Sequence, residues 1–436
     1  MARKVFMSVL GTSLYDECNY YQNEKENFVC SRFIQEATIS LFCNDWTKID
    51  SIIIFTTNQS FSDNYNADIN KRFDRRTNSE IDYVGLERIL TKLDLKVPFK
   101  NVLIKDGNSE TEIWEIFETI YSELKEDDEI YFDITHSFRY LPMLLMILLN
   151  YSEFLKKTKI KSITYGNFEV SKAQNNFAPI MDLMPLVLLK DWSVAVNNFE
   201  SFGDVSLISS LCQQSLKPIL REAKGADKIS TAINSFSKDL PKFVSNLKNC
   251  RGPEIISGTL AIDLQKKIEN IANTSLAPFN PIFSRLKTQI RRFSSENNVK
   301  NGFTAVDWCI HNGLFQQGFT MLQDTIISMV CESEQLDLRN KTFRNIVSST
   351  FNIRYKKTPQ NEWTGDCIML PENIVLTQKL HQNIIVESLL NEFNSLTELR
   401  NDINHFGMRS NSAKTESFEK NLKELYCTIL AKTCNL

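Results

Sequence analysis

At 436 residues the chain exceeds what one hydrophobic core usually supports, and 42% hydrophobic with 24% charged residues, 13 glycines and 11 prolines excludes a disordered or linker-built protein. A net charge of −3 and a pI near 6.0 lack the positive field of a protein that holds duplex DNA through its phosphates, so any nucleic acid is expected as a transient substrate. The ten cysteines form no Cys-x-x-Cys pair and no zinc-ligand spacing, which predicts reduced thiols in a cytoplasmic protein without a metal cluster.

Residues 1–180 alternate short β-branched or aromatic runs with longer amphipathic segments, the pattern of an α/β Rossmann-like domain. Strands are predicted at Lys4–Leu10, Ser51–Thr56, Asn101–Lys105, Glu129–Ile134 and Lys161–Tyr165, with helices near residues 28–43, 82–93, 110–125 and 138–156. Alternation of this kind makes successive strands parallel with right-handed crossovers. The longest apolar run, Leu141 to Leu149, is far short of the roughly 20 residues that cross a bilayer, and the N-terminus has no signal-peptide core, so no membrane segment is expected.

Each strand ends in small or polar residues: Gly11-Thr12-Ser13, Thr57-Asn58, Asp106-Gly107, Thr135-His136-Ser137 and Gly166-Asn167. In an open parallel sheet those ends share one edge, where ligands bind at the topological switch point. Neither a Gly-x-Gly-x-x-Gly nor a P-loop follows a strand, so the expected ligand is neither a dinucleotide nor a nucleoside triphosphate held in the usual way. The richest segment is Asp133-Ile134-Thr135-His136-Ser137-Phe138-Arg139, directly before the apolar run that opens the next helix. A helix N-terminus aided by Arg139 and two hydroxyls suits a phosphate. The same residues also fit a structural reading in which Ser137 caps the helix and Asp133 pairs with Arg139. The basic residues Lys71-Arg72 with Arg75-Arg76 read as solvated surface.

From residue 181 to 436 the strand signal fades and an all-α domain is predicted. Its helices fall near 181–200, 205–223, 226–248, 254–275, 280–295, 303–330, 340–350, 378–406 and 415–432, with a surface loop over 352–372. On the helix ending near Gly407, its expected C-terminal cap, Arg400 projects from the stripe of Ile385, Leu389, Phe393, Leu396 and Ile403. A buried guanidinium needs an acidic partner, a second subunit or a phosphate, and Asp324 and Glu332 are acidic candidates. His405 lies roughly 140° around the helix from Arg400, so one chain does not readily pair them, whereas two helices facing across a twofold axis would. An imidazole that moves protons beside guanidiniums that neutralise a phosphorane can cleave RNA without a metal. The alternative reading makes His405 a helix-end histidine and Arg400 an ion-paired interface residue. His311 and His381 have no sequence partner and read as structural.

These segments, in this order, resemble the CRISPR-associated CARF and HEPN ribonucleases of type III systems. The resemblance is carried by Gly11-Thr12-Ser13, by Asp133-Ile134-Thr135-His136-Ser137-Phe138-Arg139-Tyr140-Leu141-Pro142, by Gly313-Leu314-Phe315-Gln316-Gln317-Gly318-Phe319 and by Arg400 through His405. It implies a CARF domain over 1–180 that dimerises and binds cyclic oligoadenylate, and a HEPN ribonuclease within 181–436 with Arg400, Asn401 and His405 as the composite site. Cyclic oligoadenylate would be an allosteric activator rather than a cofactor. By analogy its contacts would be Gly11, Thr12, Ser13, Thr57, Asn58, Asp106, Gly107, Thr135, His136, Ser137 and Arg139. The expected activity is metal-independent cutting of single-stranded RNA, with DNA spared for want of a 2′-hydroxyl, by a homodimer or an assembly of dimers. The competing expectation is a nucleotide-sensing regulator, or a ring nuclease using Thr135 or Ser13, without RNA cleavage by the helices.

Overall fold

A computed structural model describes residues 2–66, 69–74, 78–136, 140–222, 228–272, 280–294, 297–408 and 410–433. Arg75, Arg76, Ser137, Phe138 and Arg139 lie outside the described residues. The chain divides into two compact units, Met1–Leu188 and Leu189–Leu436.

The first unit runs β1 (Lys4–Leu10), β2 (Cys18–Tyr21), β3 (Phe28–Ser31), α1 (Ile34–Phe42), β4 (Ser51–Thr56), a single turn α2 (Asn58–Ser60), β5 (Ile69–Asp74), β6 (Ser79–Val84), α3 (Leu86–Lys92), β7 (Phe99–Leu103), α4 (Glu110–Ser122), β8 (Glu129–Asp133), α5 (Leu141–Lys156), β9 (Lys159–Gly166) and β10 (Phe177–Asp182). Eight strands make one sheet in the order β3-β2-β10-β9-β8-β1-β4-β7, while β5 and β6 pair as a separate antiparallel ribbon. The five strands from β9 to β7 are mutually parallel. The chain builds outward from β1 to β4 and β7, then crosses to β8 on the other side of β1, so the switch point lies between β1 and β8.

Alternation along the strands explains the burial. Val5, Met7 and Val9 of β1 pack with Ile116, Ile120, Leu145 and Leu148 of α4 and α5. Phe6 and Leu10 turn the other way, into a cluster with Ile39, Trp46, Leu86 and Leu90. With both faces covered, the central strands read as unbroken apolar runs, which is why Lys4–Leu10 and Ser51–Thr56 are readable at their observed bounds.

The structure corrects three sequence expectations here. The predicted helix over 28–43 begins as β3, and α1 starts only at Ile34. The predicted helix over 82–93 opens inside β6. Residues 177–182, partly assigned to a helix, form β10, which runs antiparallel to β9 and carries β2 and β3 at the sheet margin.

Helix α6 (Met184–Phe202) leads into the second unit, made of α7 (Ser206–Glu222), α8 (Lys228–Lys248), α9 (Gly252–Ser257), α10 (Thr259–Ala272), α11 (Asn280–Ile290), α12 (Asn301–His311), α13 (Phe315–Ser333), α14 (Lys341–Lys356), α15 (Pro371–Leu380), α16 (Ile384–Ser388), α17 (Leu390–Asn404) and α18 (Thr415–Thr433). Among the described residues no helix is long and apolar enough to cross a membrane.

Predicted single helices break where the backbone turns left-handed or where a cap intervenes. Gly258, at φ +65, divides 254–275, and Gly313, at φ +68, divides 303–330. The stretch 378–406 becomes three helices, with the Asn383 side chain accepting from the Ile385 amide at 2.9 Å to start α16 afresh. Residues 352–372 are not simply a surface loop. Helix α14 continues to Lys356, and the turns after it are pinned by the buried side chains of Trp363 and Cys367.

Candidate functional site

At the switch point, the residues after β1 and β8 meet. Asp133 closes β8 fully buried; its carboxylate accepts from Ser8 Oγ at 2.7 Å and from Thr135 Oγ1 at 2.5 Å. Gln35 of α1 donates to Ser8 Oγ at 3.1 Å, and Thr135 Oγ1 in turn accepts from the Gly166 amide at 2.8 Å. One polar chain thus ties α1, β1, β8 and β9 together. Burial pushes the Asp133 carboxyl up to about 6, against the pull of its hydroxyl donors.

His136 follows on this scaffold and stacks on Tyr15, ring centroids 4.0 Å apart at 28°. Burial pushes its imidazole down to about 4, so the ring is neutral near pH 7. Its Nε2 is buried without a hydrogen-bond partner. Tyr15 is fixed from behind, since its hydroxyl accepts from the Gly11 amide at 3.1 Å, and burial holds that phenol far above its usual range. A Cβ on Gly11 would lie 2.8 Å from that same oxygen, which explains a glycine there.

The segment 11–13 is held by its carbonyls. Asn64 Nδ2 donates to the Gly11 and Ser13 oxygens at 2.6 and 2.9 Å, and Arg72 donates to the Thr12 oxygen at 3.1 Å and to Asn64 Oδ1 at 2.6 Å. Arg72, read from sequence as solvated surface, is therefore part of the site's frame. Its place on the β5-β6 ribbon, far along the chain from Thr12, left no local signal. Asn64 and Gln35 were missed for the same reason, and Tyr15 because its stacking partner, His136, is distant in the chain.

A cleft of about 270 Å³ opens here, walled by Ser13, Tyr15, Thr135, His136, Tyr165 and Glu169. Of the predicted ligand residues it brings together Ser13, Thr135 and His136, with Gly11 and Thr12 alongside. Ser137 and Arg139 lie outside the described residues. Thr57 is buried and its hydroxyl accepts from the Ser60 amide as the cap of α2, so it offers no free edge to a ligand. Asn58 is exposed, Asp106 is exposed with its carbonyl accepting from Tyr140, and Gly107 turns at φ +77; none of them lines the cleft.

In the second unit, α17 packs Phe393 and Leu396 into the core, and Asp402 is buried with a carboxylate oxygen accepting from the Ala413 amide at 2.8 Å. The helix stops in a Schellman motif: the Gly407 amide donates to Asp402 O at 2.9 Å and the Phe406 amide to Ile403 O at 3.2 Å. Two left-handed residues follow one another, Phe406 at φ +62 and Gly407 at φ +64. The cap expected at Gly407 is therefore shared, with Phe406 in the first of the two positions.

Arg400 is half-buried on the face of Phe393, Leu396 and Ile403, and its Nε is buried without a hydrogen-bond partner. Among the described residues no carboxylate pairs with it. Asp324 forms its ion pair with Arg344 at 2.7 Å instead, and Glu332 is exposed. Asn401 is half-buried and His405 exposed, and both lie with Asn404 on the polar arc that starts at Arg400. Gln316 Nε2 donates to Asn404 Oδ1 at 3.1 Å, joining the start of α13 to this arc. A cleft of about 610 Å³ lies beside the helix end, on the side of Ile403 and Phe406. His311 is exposed with Nδ1 2.8 Å from the Asp307 carbonyl, and His381 packs on Trp363 with its Nε2 buried and without a hydrogen-bond partner.

Residues 5–169 match the family model described as CRISPR system endoribonuclease Csx1, CARF domain. The CRISPR-associated protein MJ1674 of Methanocaldococcus jannaschii is similar at 24% identity, over 87% of this chain and 67% of that protein. The first unit is a Rossmann-like CARF domain, and the all-α unit lies beyond the family match.

Proposed function

We propose that this CRISPR-associated CARF protein senses a cyclic oligoadenylate at the switch point of its sheet and answers by cutting single-stranded RNA with its helical unit, read as a HEPN ribonuclease. The observation that carries the proposal is Arg400: a half-buried guanidinium with an orphaned Nε and no carboxylate partner among the described residues. A charge left so is costly in a scaffold and useful in a site that awaits a phosphodiester.

In the proposed reaction, His405 takes the proton of a ribose 2′-hydroxyl, whose oxygen attacks the adjacent phosphorus. The bond from phosphorus to the 5′-oxygen breaks, and that oxygen leaves with the proton that the His405 imidazoles carry over from the 2′-hydroxyl. The products are a 2′,3′-cyclic phosphate and a 5′-hydroxyl. Arg400 side chains from two protomers neutralise the phosphorane, with Asn401 beside them as a neutral donor. The arc of roughly 140° between Arg400 and His405 is the reason for invoking a second helix. No step calls on a metal ion.

At the sheet edge, the neutral His136 and the Tyr15 ring beneath it supply a stacking surface and one free ring nitrogen for an adenylate. Activation follows if the ring binds one arrangement of the paired CARF domains better than the other. Cleavage of the ring by Thr135 is disfavoured, because that hydroxyl already donates to Asp133 and accepts from Gly166.

The test is cutting of a fluorescent single-stranded RNA by the purified full chain with cyclic tri-, tetra- or hexa-adenylate, in excess EDTA. Stimulation by one ring, lost in Arg400→Ala and His405→Ala without loss of ring binding, is the expected result. Cutting that needs added divalent metal, or that survives either substitution, overturns the mechanism.

A further inference from the structure

The sequence motif Gly313 to Gln317 has no part in the chemistry above, yet it forms one wall of the cleft beside the end of α17. We propose that this cleft is a nucleobase subsite, in which Phe406 stacks on a base of the RNA close to the cut. The proposal rests on reading α17 as the RNA-cutting helix.

Phe406 is the first observation. It is 85% exposed, and it holds a left-handed backbone at φ +62, a conformation that glycine or asparagine takes with little strain. An aromatic side chain there gains almost nothing from packing to offset the backbone. Local strain without local compensation is a pattern found where a residue serves a ligand.

The cleft supplies the second. Its volume of about 610 Å³ is in the range of small-molecule sites. Leu314, Ile403 and Phe418 make an apolar floor, Gln316, Gln317 and Ser412 set neutral amide and hydroxyl groups at the rim, and the buried Asp402 carboxylate borders it. Among the described residues no lysine or arginine borders it, which disfavours a phosphate as occupant. A flat neutral ring with hydrogen-bonding edges fits both floor and rim, and single-stranded RNA presents such rings unpaired.

Position links the cleft to the chemistry. Phe406 follows His405 in the chain, and Gln316 spans from the cleft wall to Asn404 on the polar arc of α17. A strand whose phosphate lies against Arg400 and His405 can therefore lay a neighbouring base over Phe406. The ring would fix which nucleotide stands next to the bond that breaks, making Phe406 a positioning residue rather than a catalytic one.

The experiment uses the full chain, activated by whichever cyclic oligoadenylate stimulates cutting, and a fluorescent single-stranded RNA whose cut sites are mapped. Phe406→Ala should raise KM about tenfold to a hundredfold, the loss typical of one stacked base, with most of kcat kept; Phe406→Trp should restore it. Phe406→Gly suits the left-handed backbone, so it guards against misfolding and should show the same loss. Placing abasic riboses one at a time around the cut should find a position at which the wild-type protein loses as much and the substitution costs nothing further.

Unchanged KM and cut pattern in Phe406→Gly, or an equal penalty on every abasic substrate, overturns the subsite while leaving the ribonuclease reading intact. Failure of the wild-type protein to cut RNA with any ring overturns both.

Discussion

Replacing Arg400 by methionine should make the protein more stable and abolish the proposed cutting of RNA. The Nε of Arg400 is buried without a partner, and an unsatisfied buried donor costs about 1–3 kcal/mol. Methionine keeps the unbranched length and lies against Phe393, Leu396 and Ile403 without a polar atom to strand. Part of the guanidinium reaches solvent, so the recoverable share is nearer the lower end, about 1 kcal/mol. For a unit of this size that is a rise of about 2–4 °C in unfolding temperature. Cutting of single-stranded RNA should fall by at least about 100-fold, the loss that follows removal of one transition-state donor. Differential scanning calorimetry of the full chain, read beside a cleavage time course, measures both. An unfolding temperature that drops while cutting persists would mean that Arg400 is a structural residue, and the reasoning would fail.

Further outcomes follow from the CARF domain. Asp133, raised to about 6, lends stability that is whole below pH 3.8 and lost as pH rises through 6, whereas His136, lowered to about 4, lends stability that is whole above pH 6.5 and lost as pH falls through 4. The two slopes oppose each other between pH 4 and 6, so urea unfolding of Asp133→Asn should show stability rising with pH there and His136→Gln should show it falling; parallel slopes in the two variants would refute the assignment. Arg72→Ala removes the clamp on the Thr12 carbonyl and on Asn64, and calorimetric titration should find cyclic-oligoadenylate affinity weakened about tenfold. An unchanged Kd would release Arg72 from the site. In the helical unit, Gly258→Ala drives a Cβ to 1.7 Å from the Ser294 carbonyl at φ +65 and should cost more than about 2 kcal/mol. Gly313→Ala, at φ +68 with open space around it, should cost only about 1 kcal/mol; equal costs by thermal unfolding would contradict this reading of the two turns.

What could be read from sequence was what acts locally. Strands buried on both faces announce themselves as apolar runs, and β1 and β4 were found that way. Cys18 to Tyr21 and Phe28 to Ser31 are too short and mixed to carry a period, and the two, paired with each other, join the sheet only through β10, more than 140 residues downstream. The helix breaks at Gly258 and Gly313 were hidden because a lone glycine in a periodic stretch is compatible with either a continuous helix or a stop. At the sheet edge, Thr135 and His136 stood out through their dense polar string. Thr57 was credited from its strand-end position alone, which gives place but not accessibility. Asn64 and Arg72 were invisible, since what they hold is the main chain of a distant segment, and a carbonyl oxygen has no sequence. At α17 the apolar stripe exposed Arg400 as a misfit, but only coordinates could reveal that Asp324 was already engaged with Arg344.

The bond from the buried Asp402 carboxylate to the Ala413 amide, together with the two amides that close α17, anchors both ends of the short segment between them. Chain length in such a tethered bridge is thermodynamically cheap, about 0.6 kcal/mol for each doubling. Residues added between those two anchors should therefore leave the helix bearing Arg400 its footing while, on the proposed ribonuclease reading, altering which transcripts are attacked.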